Sequence, residues 1–313
     1  VYYQKKVSMI KSNSEILEQL MHLHKHGIPE GSKVGLKSLD KQLTFVKGGC
    51  TDITGYPFYG KSLVMKEIMM GLTLNEGWRH CVYMPDDGSD TEVISNLMHK
   101  LSGKTFDKEY PNYITEKEIA KHSSTICDRF KFISAEHSIE PEAFWNYAKE
   151  SKCDSAVIDS WNYLAHKGEA TKPEYLRKIL SLRNRFMEVN NMHSFIVIHP
   201  KNPDPKQVKE GRVSKPSVYD LMGGSEWNNN GRNIIVVHKE SKENHQPYDI
   251  YIDKVKPKHY GTLGDCKVHI DWATQRFYEF NHIHNTKQYA YGIEEHIEDP
   301  IDDIFHVSND QPF

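Results

Sequence analysis

The eight residues Gly55-Tyr56-Pro57-Phe58-Tyr59-Gly60-Lys61-Ser62 satisfy the pattern G-x-x-x-x-G-K-[ST], and their reading decides the fold. In that pattern the backbone N–H groups of a tight loop cradle phosphate oxygens at a helix N-terminus. The lysine reaches the terminal phosphates, and the hydroxyl ligates Mg²⁺. Such a loop needs a strand before it and a helix after it. Residues 50–54, CTDIT, suit a buried strand, and residues 61–74, KSLVMKEIMMGLTL, read as a helix. All eight loop residues are therefore candidate nucleotide ligands, with Lys61 also a catalytic candidate and Ser62 a metal ligand. The rings of Tyr56, Phe58 and Tyr59 have two conceivable uses: stiffening the loop or touching a neighbour.

Outward from the loop the same alternation continues. Short apolar runs at 81–84, 130–134, 156–159, 194–199 and 233–237 suit buried strands, mostly separated by helical stretches such as residues 174–189, EYLRKILSLRNRFMEV. That is the signature of an α/β fold, a mostly parallel sheet with helices on both faces. Closely spaced strand-like segments follow at 248–255, 267–272 and 276–280, which predicts a β-hairpin region at the end. Ahead of all this, residues 14–26 carry apolar side chains at helical spacing (Ile16, Leu17, Leu20, Met21), and Gly27 stops the helix. The layout predicts an N-terminal helix and linker at 1–33, a main domain at 34–280, and a solvated tail at 281–313. From Glu294 onward the chain has seven acidic residues and no Lys or Arg.

Composition narrows the classes of function. The chain has 313 residues, 38% hydrophobic and 27% charged, which excludes collagen-like and wholly disordered readings. No apolar run approaches the roughly 18 residues of a membrane span, and the start lacks the apolar stretch of a signal peptide. Forty Lys and Arg against 43 Asp and Glu give a net charge of −3. A general basic coat is therefore excluded, and nucleic-acid contact requires a local patch. Five scattered cysteines without a C-x-x-C pair argue against a zinc knuckle or disulfide framework and fit a reducing cytoplasm. The histidine clusters at 22–26 and 282–284 lack carboxylate or Cys partners at ligand spacing, so no metal is expected there.

Two further features carry chemistry. Asp159 ends the strand Ala156-Val157-Ile158-Asp159, where a carboxylate beside a phosphate loop can hold Mg²⁺ with its water shell. Between His199 and Tyr219 lies a Pro-rich stretch with Lys201, Lys206, Lys209, Arg212 and Lys215 against Asp204 and Glu210. No regular period appears, which predicts a mobile basic loop.

The segments VGLKSLDKQLTFVKGG, the phosphate loop, VIDSWNYL, FIVIHPK, VYDLMGGSEWNNNGRN and KVKPKHYGTLG occur in order across roughly residues 14 to 280. Together they resemble the RecA-fold motor domain of DnaB-type replicative helicases, in particular the Twinkle and phage primase–helicase branch. The resemblance implies a RecA-like P-loop NTPase core that hydrolyses ATP or another NTP with Mg²⁺. It further implies a ring, expected to be hexameric, that moves 5′ to 3′ on single-stranded DNA with a primase or other replisome protein as partner. A bacterial or phage-infected cytoplasm suits it better than a mitochondrial matrix.

The same resemblance implies individual roles. Asp86, with Asp87 as its rival, falls where the family has a catalytic Glu. The shorter side chain must approach water differently, which leaves hydrolysis less assured than binding. His199 falls at the γ-phosphate sensor. The basic loop and the backbone N–H groups of Gly223, Gly224 and Ser225 fall at channel loops that hold the single-strand backbone. Lys256 and Lys258 fall where the family has a Lys-x-Arg pair reaching a neighbour's γ-phosphate, here without the planar fork of Arg. Two other readings compete with the helicase: a RecA- or KaiC-like recombination or regulatory ATPase, and a low-turnover assembly module gated by nucleotide. The closing residues Asp310-Gln311-Pro312-Phe313 resemble the acidic tip of bacterial single-strand-binding proteins.

Overall fold

The computed structural model describes residues 10–168, 170–209, 213–240, 246–292 and 295–296. It divides into two units, residues 1–31 and 32–313. The first contains helix α1 (Asn13–His26), which opens on a capping box. The Ser12 hydroxyl accepts from Glu15 N–H while the Glu15 carboxylate accepts from Ser12 N–H. Gly27, at φ 75°, ends the helix. Its apolar residues Ile16, Leu17, Leu20 and Met21 are exposed.

The second unit is built on one sheet. Strands β1 (Cys50–Thr54), β2 (His80–Tyr83), β3 (Phe130–Phe132), β4 (Ser155–Ile158), β5 (His193–Ile198) and β6 (Asn233–His238) pair in parallel in the order β6-β1-β5-β4-β2-β3. Every residue of β1, β2, β4, β5 and β6 is buried, which is why most of these strands read as apolar runs instead of alternating; in β1 the buried Asp52 is matched by Arg183 at 2.5 Å. Helices on each face supply that burial.

One face packs Ile53, Val157, Val197 and Ile235 against α3 (Lys61–Glu76) and α4 (Asp90–Ser102). The other packs Ala156, Ile158, Ile196 and Ile198 against α6 (Pro141–Glu150) and α7 (Pro173–Asn190). Shorter helices α2 (Lys37–Gln42), α8 (Pro205–Lys209) and α9 (Ser225–Asn230), with α5 (Glu116–Arg129) ahead of β3, complete the described helices.

Beyond β6 the sheet turns antiparallel: β7 (Tyr248–Lys254), β8 (Gly264–Asp271), β9 (Arg276–Asn281), β10 (Thr286–Tyr289) and β11 (Glu295–His296). The last two strands fall where the sequence suggested only a solvated tail after residue 280. Thr286 to Tyr289 pair with Asn281 to Tyr278, so the backbone of this acidic-flanked segment is satisfied by the sheet. The tip Asp310–Phe313 lies outside the described residues.

Helix α3 carries two charges into the core. Glu67, 1% exposed, meets Lys100 at 2.6 Å, and Lys100 also donates to the Gln275 carbonyl. Lys66, also 1% exposed, meets Asp87 at 2.7 Å. These two buried charges therefore each have a counterion, as a low-dielectric interior demands.

Candidate functional site

The site forms where β1 ends and the parallel strands diverge, the crevice where open α/β sheets bind ligands. Residues 55–60 turn sharply into α3. Gly60 adopts φ 85° directly before the helix, and a Cβ there would stand 2.2 Å from the Tyr248 ring. Conformation and space both require glycine. Two of the loop's rings stiffen it from behind: Tyr59 stacks on His238 with centroids 5.3 Å apart, and Tyr56 meets Tyr59 edge-on at 6.0 Å. Phe58 instead points outward, 85% exposed, with a left-handed φ of 68°.

Lys61 is buried and donates to the Tyr56 carbonyl at 3.1 Å, folded back onto its own loop. Burial pushes its pKa down, and Asp159 and Asp86 oppose that. Asp159 follows β4 and is 1% exposed, and neither carboxylate oxygen has a hydrogen-bond partner. Desolvation, reinforced by Asp87 and Asp86, pushes its pKa up to about 7. Ser62 and Lys61 work the other way; the Ser62 hydroxyl is near enough to favour the charged form but short of a hydrogen bond.

Two orphaned carboxylate oxygens beside a helix-start hydroxyl are a donor set that fits Mg²⁺. Among the described residues no group of three or more His, Cys, Asp or Glu could hold a metal ion.

The turn Pro85–Asp87 separates the two neighbouring acids. Asp87 faces α3, tied to Lys66. Asp86 faces the crevice, its Oδ2 2.9 Å from His199 Nε2, and its backbone N–H donates to the Asp159 carbonyl at 3.3 Å. The same His199 nitrogen lies 3.1 Å from Ser160 Oγ. Tyr163, half-exposed, flanks Asp86, which pushes the tyrosine's pKa up by hydrogen bonding first and charge second. Neither Ser160 nor Tyr163 has a role in the sequence reading, although both stand in VIDSWNYL. Their signal was proximity in sequence to Asp159.

The candidate DNA loops leave from His199. Met222 N–H donates to the His199 carbonyl at 3.1 Å, and Lys201 N–H to the Asp220 carbonyl at 2.7 Å, so the two loops are joined at their bases. Lys201, Lys206 and Lys209 are exposed. Lys206 and Lys209 ride on α8, where the sequence suggested no regular structure. Lys215 is held by both oxygens of Asp253, at 2.7 and 2.8 Å, over the Tyr251 ring, so it is committed to β7. Arg212 lies outside the described residues.

Gly223 and Gly224 take φ of 102° and 68°. The Gly224 N–H donates to the Leu221 carbonyl at 2.8 Å, inside the turn instead of outward as the sequence suggested, and Ser225 begins α9.

Lys256 and Lys258 are exposed at the other end of the sheet. β7 runs antiparallel from Asp249, opposite His238, to Lys254, opposite Ile234. The loop sits at the His238 end, because Tyr59 stacks there. Four strand residues separate the ends by roughly 13 Å. The pair is thus not gathered with Lys61, Asp86, Asp159 and His199.

A G-x-x-x-x-G-K-S loop at the end of β1, with an orphaned carboxylate after β4 two strands away, defines a RecA-like P-loop fold. Among solved structures, a separately solved ATPase domain matches with a TM-score of 0.69 at 14% identity, over 86% of this chain and 98% of that one. A DnaB-like replicative helicase, described with its interactions with primase, matches with a TM-score of 0.64 at 14% identity, over 86% of this chain and 67% of that one. In sequence the chain is 26% identical over 263 residues to the Twinkle homolog protein, chloroplastic/mitochondrial, of Arabidopsis thaliana. That alignment takes in 80% of this chain and 36% of the relative, so the chain spans about a third of the relative's length. No protein-family model matches. The resemblance to a DnaB-type helicase motor domain, on the Twinkle side, is borne out.

Proposed function

We propose that this chain is the NTP-hydrolysing motor of a replicative DNA helicase, working as a hexameric ring of identical subunits on single-stranded DNA. The observation that carries the reading is the division of charge. Lys61, Asp86 and Asp159 meet at one end of the sheet, while Lys256 and Lys258 stand exposed at the other. A cation pair so placed serves phosphate only on the next subunit of a head-to-tail ring. The Twinkle relative and the likeness to a DnaB-like helicase that interacts with primase support a helicase with DNA and primase as partners. We propose that it moves 5′ to 3′. The compartment we favour is a reducing one, since all five cysteines are free. Among the described residues no helix is long and apolar enough to cross a membrane.

In this reading the loop amides and Lys61 take the phosphates, Lys61 exchanging the Tyr56 carbonyl for phosphate oxygens. Ser62 and Asp159 would hold Mg²⁺, which offsets phosphate charge. Asp86 accepts the proton of the attacking water, and His199, joined through its carbonyl to the 222 loop, couples nucleotide state to the DNA loops. Lys258 supplies positive charge from the neighbour as the γ-phosphate leaves. A steady-state NTPase assay with and without single-stranded DNA tests this. DNA-stimulated turnover is the expected result. Unstimulated turnover would favour a regulatory ATPase, and absent turnover an assembly module.

A further inference from the structure

His199 Nε2 has two partners at once, Asp86 Oδ2 at 2.9 Å and Ser160 Oγ at 3.1 Å. One ring nitrogen carries at most one proton. A carboxylate can only accept, so the Asp86 contact requires that Nε2 carry that proton and donate it. The Ser160 hydroxyl, which can donate or accept, then lies beside an N–H already engaged. Its position is not adjustable: Ser160 is fully buried at the end of β4, and His199 follows the adjacent strand β5. Asp86 sits on a short turn with its side chain about a third exposed and reached by the Tyr163 hydroxyl, so of the two partners it is the one with room to turn.

The geometry points to Ser160 as a positioning residue that takes over the His199 Nε2 proton when Asp86 turns to the attacking water. The ring need not move, because both acceptors already lie within reach of the same nitrogen. Without Ser160, the departure of Asp86 would strand a half-buried N–H and release the imidazole to rotate. The hand-over keeps the His199 ring, and with it the link from its carbonyl to Met222, in one orientation while the acid changes partner. This deepens the proposed function, resting on its assignment of Asp86 as base and His199 as sensor.

The hand-over can be tested without nucleotide, because removing the Asp86 carboxylate imitates its departure. The readout is the His199 Nε2–H resonance of the full chain labelled with ¹⁵N-histidine, assigned by its loss in His199→Gln. That proton is visible only while a hydrogen bond shields it from exchange with water. It should be visible in the wild type, in Ser160→Ala (held by Asp86) and in Asp86→Ala (held by Ser160), and lost in the double variant. Loss in Asp86→Ala alone, or persistence in the double variant, would overturn the proposal.

Where the wild type hydrolyses nucleotide, Ser160→Ala should lower kcat about tenfold with KM for nucleotide unchanged, the pattern of a misoriented group in the transition state. An unchanged kcat would also overturn it. A chain with no NTPase activity fails the proposed function, yet its nucleotide-free spectra still decide the hand-over.

Discussion

Asp86 and Asp87 are adjacent and chemically identical, yet the fold gives them different partners. Asp87 neutralises Lys66, which is 1% exposed, so Asp87→Ala leaves a buried ammonium unpaired and should cost about 3 kcal/mol of stability. With Asp159 still offsetting the charge of Lys61, Asp86→Ala breaks no ion pair to a buried lysine. It should abolish turnover while sparing nucleotide affinity and melting temperature. Calorimetric melting beside a turnover assay separates them, and the reverse pattern would shift the base to Asp87.

Asp159 makes a second residue-level prediction. Its pKa is pushed from an ordinary 3.8 up to about 7, so its contribution to folding is fully present below about 3.8 and lost as pH rises through 7. Asp159→Asn should therefore raise the melting temperature of the nucleotide-free protein more at pH 8 than at pH 5.5. It should also remove the extra stabilisation that Mg²⁺ adds to bound nucleotide. A gain that does not grow with pH would contradict the buried-charge account.

At the scale of elements, strands β2 and β5 each begin with a buried histidine. His193 Nδ1 donates to the Val46 carbonyl at 2.6 Å and its Nε2 meets Thr51 Oγ1 at 2.9 Å, while His80 Nδ1 meets Ser155 Oγ at 2.6 Å. These bonds pin strand ends to their neighbours with neutral rings. Burial lowers the two pKa values from 6.5 to about 4 and about 3. A lowered histidine costs nothing above about pH 6.5, but as pH falls below that the unfolded chain gains protons the folded one refuses. Melting temperature should drop between pH 6.5 and 4.5, with a shallower slope in His193→Gln. The exposed helix α8 carries a different expectation. Neutralising Lys206 and Lys209 together should weaken single-strand binding and reduce its salt slope by about two, whereas Lys215→Ala should leave the slope alone because Asp253 already holds that charge. Salt-titrated binding isotherms check both.

For the whole molecule, the proposed function together with the separation of the loop from Lys256 and Lys258 along the sheet predicts that a complete site needs two chains. Lys61→Ala and Lys258→Ala subunits should each be inactive as pure rings. Mixed, they should recover part of the hydrolysis, because some interfaces then pair an intact loop with an intact Lys258. Ring formation by each variant is confirmed first by electron microscopy. Wild-type DNA-stimulated turnover in Lys258→Ala rings would rule out action in trans.

The phosphate loop, its flanking strand and helix, and the parallel half of the sheet were legible in the sequence because each is a local matter. Gly60 must adopt φ 85°, Lys61 must follow it, and strands buried on both faces are mostly apolar, as in β4 and β6. Asp159 was legible for the same reason, as the polar end of an apolar run. Three things waited for the tertiary structure. β10 and β11 are short and weakly patterned, and only pairing of β10 with β9 and of β11 with β10 makes them strands. Which of Asp86 and Asp87 faces the crevice depended on Lys66, a residue of another element that no spacing in the turn reveals. The meeting of Asp86, His199 and Ser160 joins the ends of three strands, 39 and 113 residues apart along the chain, and only the order of strands in the sheet brings them onto one nitrogen.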